Sequence, residues 1–313
     1  LGPFFISNKF AIKKKIKYVY LFIIANTFFM HFYPTSIHHL HNAKCLKCLG
    51  IGGFGCIKLY MCKEKENGCK CKKLFVIKQC TLKNNYAKKN ILKEYTIGTI
   101  LNHPCIRKPI DIDIINKCLI YEYIPSKDLY HLLQTQLKTT PMTLKLKLFN
   151  QLLDAVEYMH DTGIAHMDIK LENILVDKHS QQIKLIDFGE AFVFHDINHI
   201  SNVILCKGKR GTLEYMPPEE FSNEFFSPDK ADIWACGITL HCILNYTFPW
   251  KQAETKYKRY ARYLTDNNFI LHENICINNI LKKFLEPSPK KRDSIKSIKQ
   301  HFNSLEDLNL PYP

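Results

Sequence analysis

The chain has 313 residues, 46% of them apolar and 23% charged, with a formal net charge of +15. That is ample material for a buried core, and it excludes a collagen-like, low-complexity or disordered chain. The basic excess is local, since residues 1–80 hold 14 Lys/Arg against 2 Asp/Glu while the remainder holds 30 against 27. Those cations are not interleaved with aromatics as in a nucleic-acid module, so a Lys-rich composition bias is adopted and no nucleic-acid partner is predicted.

Residues 1–43 read as a basic and apolar extension, signal-like or non-native. Lys13, Lys14, Lys15 and Lys17 precede the apolar run Tyr18 to Tyr33, in the manner of a signal peptide or short anchor. Asn26, Thr27 and His31 interrupt that run, and it falls short of the roughly 20 residues that a membrane-spanning helix needs. Upstream extension is the plainer reading, and membrane association through residues 13–33 is the alternative. The thirteen cysteines are odd in number, and several fall in apolar runs such as Trp234-Ala235-Cys236-Gly237, as free thiols do in a reducing cytosol. Cys45, Cys48, Cys69 and Cys71 would flank one end of two paired strands. A four-thiolate zinc site there is geometrically conceivable, but unliganded surface thiols need nothing extra and are the adopted reading.

Gly50-Ile51-Gly52-Gly53-Phe54-Gly55 is followed by Cys56-Ile57-Lys58-Leu59-Tyr60, which reads as a strand. A dinucleotide fingerprint would run into a helix instead, so these glycines sit in a hairpin that lets backbone N–H groups approach phosphates. Leu74-Phe75-Val76-Ile77-Lys78 is a buried strand ending on a lysine, and a partner for that lysine is expected. Asn90 to Leu101 has helical spacing and carries Glu94, and His103-Pro104 stops it. Cys118 to Ile124 is the next strand, with Tyr121, Glu122 and Ile124 near its end, and Asp128 opens a helix. Leu144 to His160 is amphipathic. It leads to Ile164-Ala165-His166-Met167-Asp168-Ile169-Lys170-Leu171-Glu172-Asn173, and the strand Ile183–Ile186 ends on Asp187-Phe188-Gly189.

In this order and spacing, residues 45 to 302 resemble the eukaryotic protein kinases. The fold implied is α+β and bilobal, with a small β-rich N-lobe holding one key helix (about 44–120) and a larger, mostly helical C-lobe (about 125–302), within a kinase domain at 44–302 and before a tail at 303–313. The resemblance implies ATP and Mg²⁺, held by Gly50, Ile51, Gly52, Gly53, Phe54 and Gly55, by Ile57 against the adenine, and by Lys78 braced by Glu94. The backbone of Glu122 and Ile124 would contact the adenine edge, with Tyr121 as gatekeeper, and Asp128 would lie near ribose or a basic substrate residue. Asp168 is implied as the base, Lys170 as the cation on the moving phosphoryl group, and Asn173 and Asp187 as magnesium ligands.

The arginine usual before the catalytic aspartate is Met167, which cannot pair with a phosphate, so activity without activation-segment phosphorylation is expected. Gly211-Thr212-Leu213-Glu214-Tyr215-Met216-Pro217-Pro218-Glu219 resembles a peptide-docking loop, with Glu219 expected to pair with Arg292 and Asp232 to brace the catalytic segment from the start of a helix over 232–244. Thr212 near Lys170 implies Ser/Thr rather than Tyr acceptors. Asp128 and Glu172 hint at basic residues upstream of the phosphosite. Asp187 to Ala191, Pro218 to Phe221, Asp232 to Gly237 and Phe248-Pro249-Trp250 are similar to the fungal nutrient-permease and halotolerance kinases, which implies a role in transporter or nutrient and ion signalling. A cytoplasmic, monomeric enzyme is expected, with a pseudokinase scaffold as the alternative.

Overall fold

The structure, a computed structural model, describes residues 43–52, 55–66, 69–80, 85–195, 203–222 and 224–306. The extension before residue 43, Gly53 and Phe54, Ser201 and the tail beyond residue 306 lie outside the described residues, and so does the expectation of membrane association through residues 13–33. Among the described residues no helix is long and apolar enough to cross a membrane. The chain divides into two compact units, one of residues up to Asn102 with Arg107–Pro125, the other of His103–Ile106 with residues from Ser126 onward.

The first unit is an antiparallel sheet backed by one helix. Strands β1 (Lys44–Gly52), β2 (Gly55–Glu66), β3 (Cys69–Cys80), β4 (Asp111–Asp113) and β5 (Cys118–Glu122) lie in the order β1-β2-β3-β5-β4. The helix, α1, is Asn85–Ile100, so it starts five residues before the amphipathic pattern becomes visible at Asn90. Residues opposite one another in a ladder share a face of the sheet. Leu59 pairs with Val76, and Val76 with Tyr121; Ile57 pairs with Lys78, and Lys78 with Leu119. One face therefore carries Leu59, Val76, Leu119 and Tyr121, which pack with Ile91 and Leu92 of α1. Lys78 lies on that same face.

The register also bears on the four cysteines. Cys45 lies opposite Tyr60 in β2, whereas Cys71 lies opposite Glu64 and Cys69 opposite Glu66. Four residues of strand separate Cys45 from Cys71, on the order of 13 Å, because the β2–β3 hairpin runs on past the start of β1. Cys45 and Cys48 are exposed and unbridged, and no group of three or more His, Cys, Asp or Glu among the described residues could hold a metal. The side chains of Cys69 and Cys71 lie outside the described ones.

The second unit is mainly helical. Its elements are β6 (Ser126–Asp128), α2 (Leu129–Thr135), α3 (Met142–Asp161), β7 (Ile164–Ala165), β8 (Ile174–Asp177), β9 (Ile183–Leu185), β10 (Phe192–Val193), β11 (Cys206–Lys207), α4 (Pro218–Phe221), β12 (Phe225–Phe226), α5 (Pro228–Asn245), α6 (Lys258–Thr265), α7 (Ile275–Phe284) and α8 (Ile295–Glu306). α3 buries Leu148, Phe149, Leu152, Leu153, Val156 and Met159. Phe149 meets Phe284 of α7 and Phe302 of α8 at centroid distances of 5.7 and 5.2 Å, within the range of favourable aromatic pairs. α5 is buried along nearly its whole length, from Ala231 to Leu244, which makes it the centre of this unit. α8 runs on to Glu306, four residues into the stretch expected as a tail.

Candidate active site

In the first unit, the glycine turn is closed by the pairing of Gly52 with Gly55. A Cβ on Gly55 would lie 1.9 Å from the carbonyl oxygen of Gln79, and its φ is 153°, so no side chain fits there. A Cβ on Gly50 would meet nothing within 4 Å, and Ile51 is exposed. Ile57 packs against the sheet core. Because Lys78 shares the face that receives α1, its Nζ reaches both carboxylate oxygens of Glu94, each at 2.9 Å. Glu94 is buried, and the ammonium compensates a charge that would be costly alone. Tyr121 also donates to Glu94, at 2.9 Å, a contact absent from the sequence reading. The carbonyl of Glu122 accepts a bond from Nη2 of Arg107 at 2.8 Å, and Ile124 is half-buried.

In the second unit, Asp128 caps α2, its carboxylate accepting the N–H of His131 at 2.7 Å, so a structural role accounts for that residue by itself. The segment after α3 is held through its backbone. Asp232 accepts the N–H of His166 at 2.7 Å and that of Met167 at 2.8 Å, and it meets Nε2 of His160 at 2.9 Å. It does so from the second turn of α5, which begins at Pro228, and not from the start of a helix as expected. The Pro at the first helical position is the signal that marks the true start. Met167 and Asp187 have φ values of 64° and 67°, an unfavourable region for side chains of this kind that only a surrounding framework sustains.

Asp168 sits at the centre of the resulting constellation. Its Oδ1 accepts the hydroxyl of Thr212 at 2.8 Å, Lys170 Nζ lies 2.8 Å from its Oδ2, and Lys170 donates in turn to Thr212 Oγ1 at 2.8 Å. Asn173 donates from Nδ2 to the Asp168 carbonyl at 2.8 Å and to Oδ2 at 3.1 Å. Gly211, at φ 75°, is pressed onto this segment, where a Cβ would lie 2.5 Å from the Met167 carbonyl oxygen and 2.9 Å from Asp168 Oδ1. Asn173 precedes β8 and Asp187 follows β9, and those strands pair Ile174 with Leu185. The ladder therefore brings an amide and a carboxylate to one end of the sheet, an oxygen donor set of the kind magnesium prefers.

Farther along, Arg292 grips Glu219 with two bonds, of 2.7 and 3.2 Å, and both are buried. The neighbouring Glu220 is buried as well and accepts the Arg210 N–H at 2.9 Å. Burial, with the nearby charges of Glu219 and Asp232, pushes its pKa up to about 8 despite the Arg210 bond. Met167 lies in an apolar cluster with Ala165, Phe194, Cys206, Phe226 and Ala231.

These two constellations follow, in chain order, the pattern that resembles the protein kinases, and the protein kinase domain model matches residues 43–302. The chain belongs to the protein kinase family. Its similar relatives include the serine/threonine-protein kinase ppk8 of Schizosaccharomyces pombe, 40% identical over 180 residues, 56% of this chain and 34% of that protein. The kinase HAL4/SAT4 of Saccharomyces cerevisiae is 30% identical over 274 residues, 82% of this chain and 44% of its own length. The kinase hal4 of S. pombe is 29% identical over 273 residues, 82% of this chain and 42% of that protein. The chain thus spans between about a third and a half of the length of these curated relatives. They bear out the resemblance to eukaryotic Ser/Thr kinases of the HAL4-like group, and the α+β kinase fold with its sheet-rich first part and helical second part follows. Within this kinase domain, both charged constellations were legible in the sequence, whereas contacts such as Tyr121 to Glu94, Thr212 to Asp168 and Arg210 to Glu220 carry no motif that signals them.

Proposed function

We propose that this protein transfers the γ-phosphoryl group of ATP to serine or threonine hydroxyls of protein substrates. The observation that carries this reading is the closed set of contacts among Asp168, Lys170 and Thr212. Asp168 is placed to orient an acceptor hydroxyl and take its proton, Lys170 to offset charge on the phosphoryl oxygens, and Thr212 to keep both side chains in place. Phosphoryl transfer needs alignment and charge neutralisation more than covalent help, so two carboxylates, an amide and two lysines suffice. Asn173 and Asp187 would hold Mg²⁺, which supplies charge neutralisation at the phosphates when bound. Lys78, oriented by Glu94, binds the α and β phosphates, the glycine turn covers them, and the backbone of Glu122 and Ile124 meets the adenine edge.

Met167 supports activity without a phosphorylated activation segment, since a thioether supplies no cation to pair with a phosphate where the family pattern has an arginine. Asp128 and Glu172, on adjoining segments, favour substrates with basic residues upstream of the acceptor. By similarity to the HAL4 kinases we assign the enzyme to regulation of membrane transport or nutrient and ion signalling, as a cytoplasmic monomer. Membrane association through residues 13–33 is a further arm of that reading. Transfer of the ATP γ-phosphate to mixed Ser/Thr peptides, compared between wild type and the Asp168→Asn and Asp187→Asn variants, tests it. Transfer lost in both variants is the expected result, and nucleotide binding without transfer by the wild type would instead favour a scaffold.

A further inference from the structure

Tyr121 occupies the face of the sheet that receives α1, because it lies opposite Val76 in the β3–β5 ladder. It is only 6% exposed, so its phenol hydroxyl needs a partner inside the protein. That partner is Oε1 of Glu94, at 2.9 Å, on the same carboxylate that receives Lys78. Two strands therefore grip one helix residue, β3 through an ammonium on a flexible stem and β5 through a hydroxyl on a rigid ring. The two grips differ in stiffness. A lysine retains rotamer freedom over four carbons, whereas a tyrosine has two χ angles and presents its oxygen at a fixed distance from the backbone.

The ring is itself constrained. The guanidinium carbon of Arg107 lies 4.6 Å from the Tyr121 ring centroid, and its Nη2 donates to the carbonyl of the next residue, Glu122. A cation stacked on the ring face and bonded to the adjoining peptide fixes both the plane of the ring and the strand that bears it. Arg107 Nε is buried with no hydrogen-bond partner, which shows that the side chain is held by this stack and by its Nη2 bond rather than by ideal satisfaction of every donor.

We propose that Tyr121 is a positioning residue whose hydroxyl holds Glu94 in the orientation that presents Lys78 to nucleotide phosphates, with Arg107 holding Tyr121 in turn. This rests on the kinase reading of the first unit given above. The contact biases α1 toward its lysine-engaged placement before nucleotide arrives, and a ligand that requires this placement then loses less affinity to reorganisation.

The test titrates a fluorescent Mg·ATP analogue into wild type, Tyr121→Phe, Glu94→Ala and the double variant, with amide hydrogen exchange of α1 measured on each nucleotide-free protein. Phenylalanine keeps the ring and its packing and deletes only the donor. We expect Tyr121→Phe to raise the nucleotide Kd roughly three- to tenfold, as loss of one ordinary intramolecular hydrogen bond implies. It should also speed exchange along α1. In the Glu94→Ala background the same change should do nothing further. Unaltered Kd and exchange in Tyr121→Phe would overturn the proposal, and so would equal weakening in both backgrounds, since the ring would then act through pocket shape. A wild type that binds no Mg·ATP would overturn the kinase reading and this role with it, whereas the former results sink the role of Tyr121 alone.

Discussion

The two charged constellations of this kinase domain are positioned by different means. Lys78 and Glu94 come from one strand and one helix and meet at the ends of long side chains, so their contact depends on strand register and on a neighbour such as Tyr121. Asp168 is fixed through the backbone on either side of it, by the N–H groups of His166 and Met167 on buried Asp232 and by the Asn173 amide on its own carbonyl. The first arrangement can be released and remade by a small shift of a helix. The second can be released only by opening the core of its unit, because Asp232 is 1% exposed on the central helix. Under the function proposed above, a cation that adjusts and a carboxylate that does not is the division of labour expected when alignment at the reacting atoms dominates the chemistry.

That contrast can be broken by measurement. The largest effect is expected at Asp168, where Asn should lower kcat roughly 10²- to 10⁴-fold while changing folding free energy by less than about 1 kcal/mol, read by steady-state kinetics and denaturant titration. Asp232→Ala should do the opposite first. It strands two buried N–H groups and removes the partner of His160, and a loss of about 3–5 kcal/mol of stability is expected. If that loss were under about 1 kcal/mol, the backbone frame would not be what holds the segment.

A third effect concerns pH. The folded pKa of Glu220 is near 8 against an ordinary 4.5, so between those values the folded chain keeps a proton that the unfolded chain has released. Stability from this group is complete below about pH 4.5, falls by up to about 1.4 kcal/mol per pH unit above it, and levels off beyond about pH 8. Thermal melts across that range should show a shallower decline in Glu220→Gln than in wild type, and identical slopes would contradict the assignment. The smallest effect is expected at Glu94, where Gln should cost about 1–2 kcal/mol of stability. Equality with Asp232→Ala would erase the distinction between the two regions.

Sequence made the segment after α3 legible because its motif is contiguous, ten residues from Ile164 to Asn173, and because α3 before it has a clear apolar stripe. The Lys78–Glu94 pair was legible as well, since a lysine ending a buried strand calls for a carboxylate. Other features required the third dimension. The strand β3 begins at Cys69, in a stretch of alternating Cys and Lys that has none of the β-branched or aromatic residues that usually mark a strand. The start of α1 over Asn85 to Lys89 lacks apolar residues at helical spacing apart from Tyr86 and Ala87. The left-handed backbone of Met167 follows from the bonds to Asp232, and no propensity of methionine announces it. Tyr121 reads as a rear-pocket residue until the ladder places it on the face that receives α1 and its hydroxyl is seen to reach Glu94.

The pairing of Glu219 with Arg292 joins positions 73 residues apart. A ribosome delivers the chain from its N-terminus, so Glu219 emerges well before the cation that neutralises it. Until Arg292 follows, the loop from Gly211 to Glu219 cannot settle its buried carboxylate, and Gly211 has no fixed base from which to press on Asp168. The stretch between α7 and α8 thereby fixes a segment that the chain laid down far earlier.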